Sequence, residues 1–340
     1  MSTTARSEST LEGFALPRIG FGAGPLGGFY GPVGSQTGAA AADRAYALGV
    51  RYFDVAPLYG HGRAELVLGH ALRDLDRDSY LLSTKVGRYL VPAGAPGQEA
   101  RQRAEGAPFN ARYDYSREGT LRSLEQSMLR LGTSRIDIVY IHDVDAHSHG
   151  SDEQAEIAFA AAIEGALPTL LELKRAGAIR AIGVGINQPP WALRWLREAD
   201  LDVLMLAGRL TLLNREAEGA DVLGECARRN VAYVAAGPFN GGMLARGKQN
   251  DQWRNNYRPA PEAVVRDYLR LSSIAAEQAV NLKAAAIQFV LRHPGVASLV
   301  IGASSPEEVE ENLALASSPI PEAFWRRVDD AQALSRGTSL

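Results

Sequence analysis

The chain has 340 residues, 46% of them hydrophobic and 22% charged, which is the ordinary composition of a globular protein with a large core. Its 39 acidic and 36 basic residues leave a formal net charge of -3 with both signs interspersed, a balance that argues against a nucleic-acid or membrane-surface partner. Cys226 is the sole cysteine, MSTTARSESTLEG offers no apolar signal-like segment and no run is long enough to span a bilayer, so the expectation is a soluble cytoplasmic protein.

Eight short apolar runs read as strands: Arg18–Gly22, Tyr52–Asp54, Tyr80–Thr84, Ile136–His142, Ile179–Gly183, Val203–Leu206, Val231–Ala235 and Ser298–Ile301. Segments of helical period separate them. TLRSLEQSMLRLG, from Thr120, has leucines at 121, 124, 129 and 131 and closes on Gly132, a usual helix stop. LPTLLELKRAGAIR runs helix, glycine break, strand. SPEEVEENLALA opens on Ser305 and Pro306 with Glu308 three residues after the serine, a capping-box pattern. One more helix is expected near Trp325, then a tail. Strand then helix eight times over predicts an α/β fold of the (β/α)8 barrel type, one domain over residues 1–340; a doubly wound sheet of eight units is the competing architecture.

Three connections are too long for simple turns: residues 86–117, 143–165 and 237–262. All follow strands, so in a barrel they crown the face where active sites form. They and their neighbours bring aromatic residues to that rim: Phe29, Tyr30, Tyr89, Phe109, Trp191, Trp253 and Tyr257. Such rings can pack on a sugar face or a pyridine, with His61, Asn240 and Arg209 as hydroxyl-reading neighbours.

The chemistry-bearing residues lie in RYFDVAPLYG, YLLSTKVG and IDIVYIHD. Asp54, Lys85 and His142 stand at or just beyond strand ends, and Tyr59 follows the second strand by a few residues. In a barrel they converge on one mouth, where they can run a proton transfer beside a hydride transfer. A lysine's positive charge eases ionisation of a phenol, an aspartate holds the lysine, and a histidine offers a hydrogen bond to a substrate oxygen. A plain Asp54–Lys85 salt bridge accounts for two of the four, and Lys85 as a Schiff-base lysine is a rival chemistry.

Three further motifs have two readings each. GFGAGPLGG, residues 20–28, follows a strand, but Pro25 occupies the third-glycine place of a dinucleotide fingerprint; a loop that lets a ligand approach the backbone is the better reading. HDVDAHSH, with His142, Asp143, Asp145, His147 and His149, looks like a metal site but has no accompanying cysteine cluster or HExxH; a solvated polar loop is the expectation, with no metal. GASSPEEVEENLA, residues 302–314, sets small residues before a helix after the last strand, which suits a phosphate or ordinary capping.

Together LGVRYFDVAPLYGHGRAELVLG, LLSTKVG, SLEQSMLRLGTSRIDIVYIHD, LKRAGAIRAIGVGIN and LVIGASSPEEVEEN resemble the aldo-keto reductase family over nearly the whole chain. The resemblance implies a (β/α)8 barrel binding a nicotinamide cofactor without a Rossmann fold. It implies Tyr59 as general acid/base, Lys85 and Asp54 as its tuning pair and His142 as carbonyl orienter. It implies cofactor contacts from Asn187, Gly237, Phe239, Gly302, Ser304, Ser305, Glu308, Glu311 and Asn312. LMLAGRLTLLN, VAAGPFNGGMLA and STKVGRYLVP are most similar to the branch of sugar 1-dehydrogenases that also contains pyridoxal 4-dehydrogenase. Ala236 replaces the tyrosine that stacks on the nicotinamide in many members, and Ala207 replaces a glutamine, with Arg209 and Phe239 as substitutes. Glu308 and Gly302 stand where members that prefer NADP carry basic residues. The resemblance therefore implies NAD rather than NADP, and oxidation of a small aldose such as L-fucose or D-arabinose at its C1 hydroxyl. Pyridoxal 4-dehydrogenase, a general NADPH-dependent carbonyl reductase and a non-catalytic cofactor-binding regulator are the alternatives.

Overall fold

The computed structural model describes residues 10–11, 14–28, 31–93, 106–248, 253–255 and 258–337. Eight strands close into an all-parallel barrel: β1 Ile19–Gly22, β2 Tyr52–Asp54, β3 Leu81–Val86, β4 Ile138–His142, β5 Ala181–Ile186, β6 Val203–Ala207, β7 Ala232–Ala236 and β8 Val296–Gly302. Each pairs with its sequence neighbours, and β8 closes on β1 through Leu299–Gly302 against Ile19–Gly22. The doubly wound sheet is thereby excluded. The strand expectations hold to within about three residues. The third strand runs further than expected, so Lys85 lies inside β3 rather than after it.

Alternation along the strands sorts two apolar layers. Tyr52, Leu81, Ile138, Tyr140, Ala181, Val203, Met205, Ala232, Val234, Ala297 and Val300 fill the barrel interior, with Leu16 beneath them. Their strand neighbours, such as Phe53, Leu82, Val139 and Ile141, join the larger core shared with the helices. Because β2 is read in the same period, Tyr52 and Asp54 point inward while Phe53 points outward. The interior would be too crowded for Tyr52 if β1 carried a side chain at Gly20: a Cβ there would lie 2.6 Å from Tyr52 Cδ1.

Helices Ser35–Ala47, Arg63–Leu72, Arg117–Leu131, Leu167–Arg175, Pro189–Glu198, Val222–Arg228, Leu282–Arg292 and Pro306–Ser317 surround the strands. Gly132 ends the Arg117–Leu131 helix in a left-handed conformation at φ 65°, as its sequence position predicts. Extra helices Glu262–Glu277 and Glu322–Gly337 pack on one another through Arg327 and Glu277, 2.5 Å apart. The expected long connections carry structure of their own. The first holds an antiparallel hairpin, Arg88–Pro92 with Phe109–Tyr113; its Gly94, Pro96 and Gly97 lie outside the described residues. The second holds a short helix, Ala146–His149, then a longer one. No helix among the described residues is long and apolar enough to cross a membrane.

At the opposite end of the barrel from the strand C-termini, two aspartates stitch strands together. Asp137, one residue before β4 and 1% exposed, accepts the Leu82 amide at 2.8 Å and pairs with Arg77. Asp202, one residue before β6, accepts the Ile182 amide at 2.8 Å and pairs with Lys174. These contacts lie at the face that in such barrels serves stability. Asp137→Ala leaves the buried Leu82 amide without its acceptor and the Arg77 charge without its carboxylate. It should cost about 3 kcal/mol or more of stability by denaturant unfolding while kcat of the folded fraction stays near wild type. A loss of kcat at unchanged stability would contradict this division.

Candidate active site

Asp54 ends β2, and Lys85 lies in the adjacent β3 with both side chains inward and nearly inaccessible, at 3% and 2% exposure. A buried ammonium needs its protons accepted. Lys85 Nζ donates to Asp54 Oδ1 at 2.9 Å, to Asp54 Oδ2 at 2.7 Å and to the Val55 carbonyl at 3.0 Å. Those three acceptors take the three ammonium donors. This disfavours the Schiff-base rival, which requires a neutral, unencumbered amine. Ser83 donates to Asp54 Oδ1 at 2.7 Å, its Oγ lies 3.2 Å from the Tyr52 hydroxyl, and the Tyr52 and Tyr140 hydroxyls are 3.0 Å apart. The carboxylate is thus anchored from below by hydrogen bonds that run into the barrel interior. Burial pushes Tyr52 and Tyr140 well above the usual phenol range, so both stay neutral.

Tyr59 is half-buried above this pair, on the turn between β2 and helix Arg63–Leu72. Its ring centroid is 5.0 Å from Lys85 Nζ and 6.2 Å from the His142 ring, which it meets edge-on at 90°. The glycine-rich segment after β1 fixes that turn. Gly24–Gly27 forms one turn of 3-10 helix, and its backbone presses so closely on the Tyr59–Gly60 backbone that a Cβ on Gly27 would sit 2.5 Å from Gly60 N. Gly27 of GFGAGPLGG therefore serves a close backbone approach to the tyrosine turn, a role apart from the expected approach of a ligand.

His142 ends β4 at the same mouth, buried. Arg88, from the hairpin after β3, places Nη1 3.2 Å from His142 Nδ1. Burial above all, with the positive charges of Arg88 and Lys85, outweighs the pull of Asp143 and pushes the His142 imidazolium down to about 3. It is therefore neutral at any working pH. Arg88 also pairs with Asp143 at 2.8 Å, and Asn187 Nδ2 donates to Asp143 Oδ1 at 3.0 Å. Burial favours the protonated Asp143 carboxyl, but Arg88 and the Asn187 hydrogen bond outweigh it and hold the group below its usual range. Asp145 accepts the Asn187 amide at 2.6 Å and the Ser148 amide at 2.9 Å, capping the Ala146–His149 helix. The stretch HDVDAHSH is thus not the solvated loop its polarity predicts. Its first three polar side chains are buried and committed to Arg88, Asn187 and a helix cap. Among the described residues no group of three or more His, Cys, Asp or Glu could hold a metal ion.

The other residues expected to contact a cofactor follow β7 and β8. Gly237 follows β7 at φ 66°, and Phe239 lies two residues on under Lys283 Nζ, 5.8 Å from its ring centroid. Lys283 also pairs with Glu311 at 2.5 Å. Gly302 closes β8, and a Cβ there would lie 2.9 Å from Pro25 Cγ, so the position has no room for a basic side chain without moving Pro25. Ser305 caps helix Pro306–Ser317 by accepting the Glu308 amide at 3.3 Å. The reciprocal half of the expected capping box is redirected: Glu308 Oε2 accepts from the Ser304 amide and hydroxyl, both at 2.8 Å, while Oε1 pairs with Arg246. These contacts overcome burial and hold the Glu308 carboxyl below its usual range. Asn312 is 5% exposed, and its Oδ1 has no hydrogen-bond partner. An acceptor left bare in a buried position fits the amino group of an adenine. Ala207 and Ala236 pair across β6 and β7, as half-buried small residues at the mouth.

Not every expected rim residue is available to a substrate. Trp191 is buried on helix Pro189–Glu198, with its ring 6.1 Å from Phe159. Tyr89 lies under the Arg122 guanidinium, and Trp253 stacks on Tyr268 at 4.9 Å. Phe29, Tyr30 and Tyr257 lie outside the described residues. The residue that sequence reasoning passed over is Arg88. It had one signal: the acids of HDVD at a strand end, if buried, require a cation, and Arg88 is next but two after Lys85.

The sequence model of the aldo/keto reductase family matches residues 18–333. The chain belongs to that family. Pyridoxal 4-dehydrogenase of Microbacterium luteolum is 37% identical over 323 residues, covering 92% of this chain and 93% of that protein. D-threo-aldose 1-dehydrogenase of a Pseudomonas species is 34% identical over 338 residues, covering 98% and 99%. Among solved structures, the glycerol dehydrogenase AKR11B4 of Gluconobacter oxydans has a TM-score of 0.74 at 22% identity, covering 97% and 96%, and supports the barrel alone. This aldo-keto reductase is therefore an oxidoreductase, of a family that uses nicotinamide cofactors, with relatives in the sugar dehydrogenase branch.

Proposed function

We propose that the chain is an NAD-dependent dehydrogenase that oxidises the C1 hydroxyl of a small aldose, of the L-fucose or D-arabinose type, to the lactone. The observation that carries the reading is the buried Lys85–Asp54 pair set 5.0 Å from the Tyr59 ring, with neutral His142 edge-on beside it. Tyr59, as phenolate, takes the hydroxyl proton, and the fixed ammonium of Lys85 stabilises that phenolate through its charge. His142 donates a hydrogen bond to the same substrate oxygen and orients it. The C1 oxygen gains its second bond to carbon as the C1 hydrogen leaves with two electrons. When bound, the nicotinamide supplies the acceptor for that hydride. Asn312 would receive the adenine, and Gly302, Ser304 and the Pro306–Ser317 helix would flank the phosphates. The near-complete coverage of the aldose 1-dehydrogenase relative supports the substrate class. A second reading, oxidation of pyridoxal, is favoured by the greater identity of the pyridoxal relative. NADPH-linked reduction of simple aldehydes is the third.

Tyr59→Phe removes only the proton-carrying oxygen. It should lower kcat by about 10²- to 10⁴-fold with cofactor affinity kept, read with a panel of aldoses, pyridoxal and aromatic aldehydes under NAD and NADP. Near-full turnover by the variant would overturn the proton path, and turnover confined to aromatic aldehydes with NADPH would move the protein to the third reading.

The cofactor preference is supported by Glu308. Its carboxylate already fills the Ser304 amide and hydroxyl, donors that a 2′-phosphate would need, and repels a second anion. A ribose hydroxyl can instead donate to it. The ratio of kcat/KM for NAD over NADP should exceed one in the wild type and fall by about tenfold or more in Glu308→Arg. An unchanged ratio would remove Glu308 from cofactor choice.

A further inference from the structure

The hairpin after β3 brings a buried arginine to the mouth, and nothing in the Tyr59, Lys85, Asp54 and His142 set explains it. Arg88 is 6% exposed and belongs to strand Arg88–Pro92, one residue past Gly87 and three past Lys85. It is held from several sides. Asp143 pairs with Nη2 at 2.8 Å, Tyr113 accepts from Nη2 and lies with its ring 4.2 Å beneath the guanidinium carbon, and Ser123 donates to the Arg88 carbonyl at 2.6 Å. A cation fixed this firmly gives its remaining contact a definite direction.

That contact is Nη1 to His142 Nδ1 at 3.2 Å. A guanidinium has donors and no acceptor, so the bond runs only from arginine to histidine. Nδ1 must then present its lone pair, and the one neutral tautomer that does so carries the ring proton on Nε2. We infer that Arg88 is a positioning residue for the reaction: it holds His142 as the neutral, Nε2-protonated imidazole, the form that can donate a hydrogen bond to the substrate oxygen. The inference rests on the dehydrogenase reading for the identity of that oxygen, but the tautomer does not depend on it.

The rest of the surroundings agree. His142 Nε2 stands 3.6 Å from Asp143 Oδ1, beyond hydrogen-bond reach, so its proton is not taken by the neighbouring acid. Arg88 and Asn187 keep Asp143 occupied at 2.8 and 3.0 Å. The charged and titratable groups that face the ring are Arg88 and Lys85, which disfavour an imidazolium, and Asp143, which favours one. The Tyr59 ring lies edge-on, and the Tyr115 hydroxyl donates to the His142 carbonyl at 2.8 Å, fixing the backbone that carries the ring. Removing Arg88 takes away one repelling charge, frees the Asp143 carboxylate and releases Nδ1 to gain a proton. All three changes act in the same direction.

Nitrogen NMR of histidine-labelled protein reads the tautomer directly, with His142→Asn identifying the signal among the 6 histidines. The wild-type ring should show an unprotonated Nδ1 and a protonated Nε2, with no titration between about pH 8 and pH 5. In Arg88→Met the same signal should become a tautomer mixture that titrates within that window, and kcat should fall by about 10²-fold with a much smaller change in KM. Arg88→Lys, which keeps a donor on Nδ1, should recover the Nε2-protonated signature and part of kcat. A wild-type ring protonated on Nδ1, or one that titrates near neutral pH, overturns the inference without any variant having to fold. So does an Arg88→Met protein with unchanged signal and kcat. Wild-type turnover confined to aromatic aldehydes with NADPH overturns the dehydrogenase reading instead and leaves the His142 spectrum as it was.

Discussion

The Lys85–Asp54 pair is the contact on which the mouth of this barrel is built. Two opposite charges at 2% and 3% exposure are costly to bury, and the cost is met only because every ammonium proton and both carboxylate oxygens have partners. The pair requires β2 and β3 to be adjacent and in the register that sets Asp54 against Ser83, with Lys85 two residues on. It requires an interior polar floor, supplied by Ser83, Tyr52 and Tyr140, in a core otherwise filled by aliphatic side chains. It leaves a fixed positive charge under the one surface where Tyr59 and His142 meet. Replacing a buried ion pair by a hydrophobic pair of the same volume is often neutral or stabilising, so the pair is weak evidence of a stabilising role.

The two ends of the strands are built differently. At the C-terminal ends lie the ion pair, His142 and the Arg88–Asp143 pair, with turns that hold backbone in uncommon conformations: Asp143 at φ 57°, Gly60 at φ 60° and Gly237 at φ 66°. At the N-terminal ends Asp137 and Asp202 bind amides of the neighbouring strand. The second charge cluster at the mouth differs in kind from the first. Arg88 comes from an appended hairpin rather than a barrel strand, so the hairpin is part of the site's construction and not only a cover for it.

Much of this arrangement is legible in the sequence, for reasons that can be named. The strands are readable because each is a short apolar run between glycine breaks and helical periods. The Asp54–Lys85 pair is readable because a lysine in a buried run needs a carboxylate, and the barrel order leaves one within reach. The Ser305 cap is readable from its side chain and the proline after it, but the fate of Glu308 is not. Its carboxylate turns to Ser304 and Arg246, and the latter choice depends on where the Met243–Arg246 helix lies. Polarity alone misjudges HDVDAHSH, since Asp143 and Asp145 are buried by contacts with Arg88 and Asn187 that are distant in sequence. The place of Trp191 is not legible at all: residue type does not say which face of a helix it occupies, and here it faces Phe159.

The central claim is that Lys85, held charged by Asp54, makes Tyr59 an effective base. The pH dependence of aldose oxidation in Lys85→Met against wild type tests it most directly, because the substitution keeps an unbranched side chain of similar size and removes the charge together with its hydrogen bonds to Asp54 and Val55. The account predicts that the rise in rate with pH moves to distinctly more alkaline pH in the variant. A profile that keeps its position, at whatever rate, would contradict it.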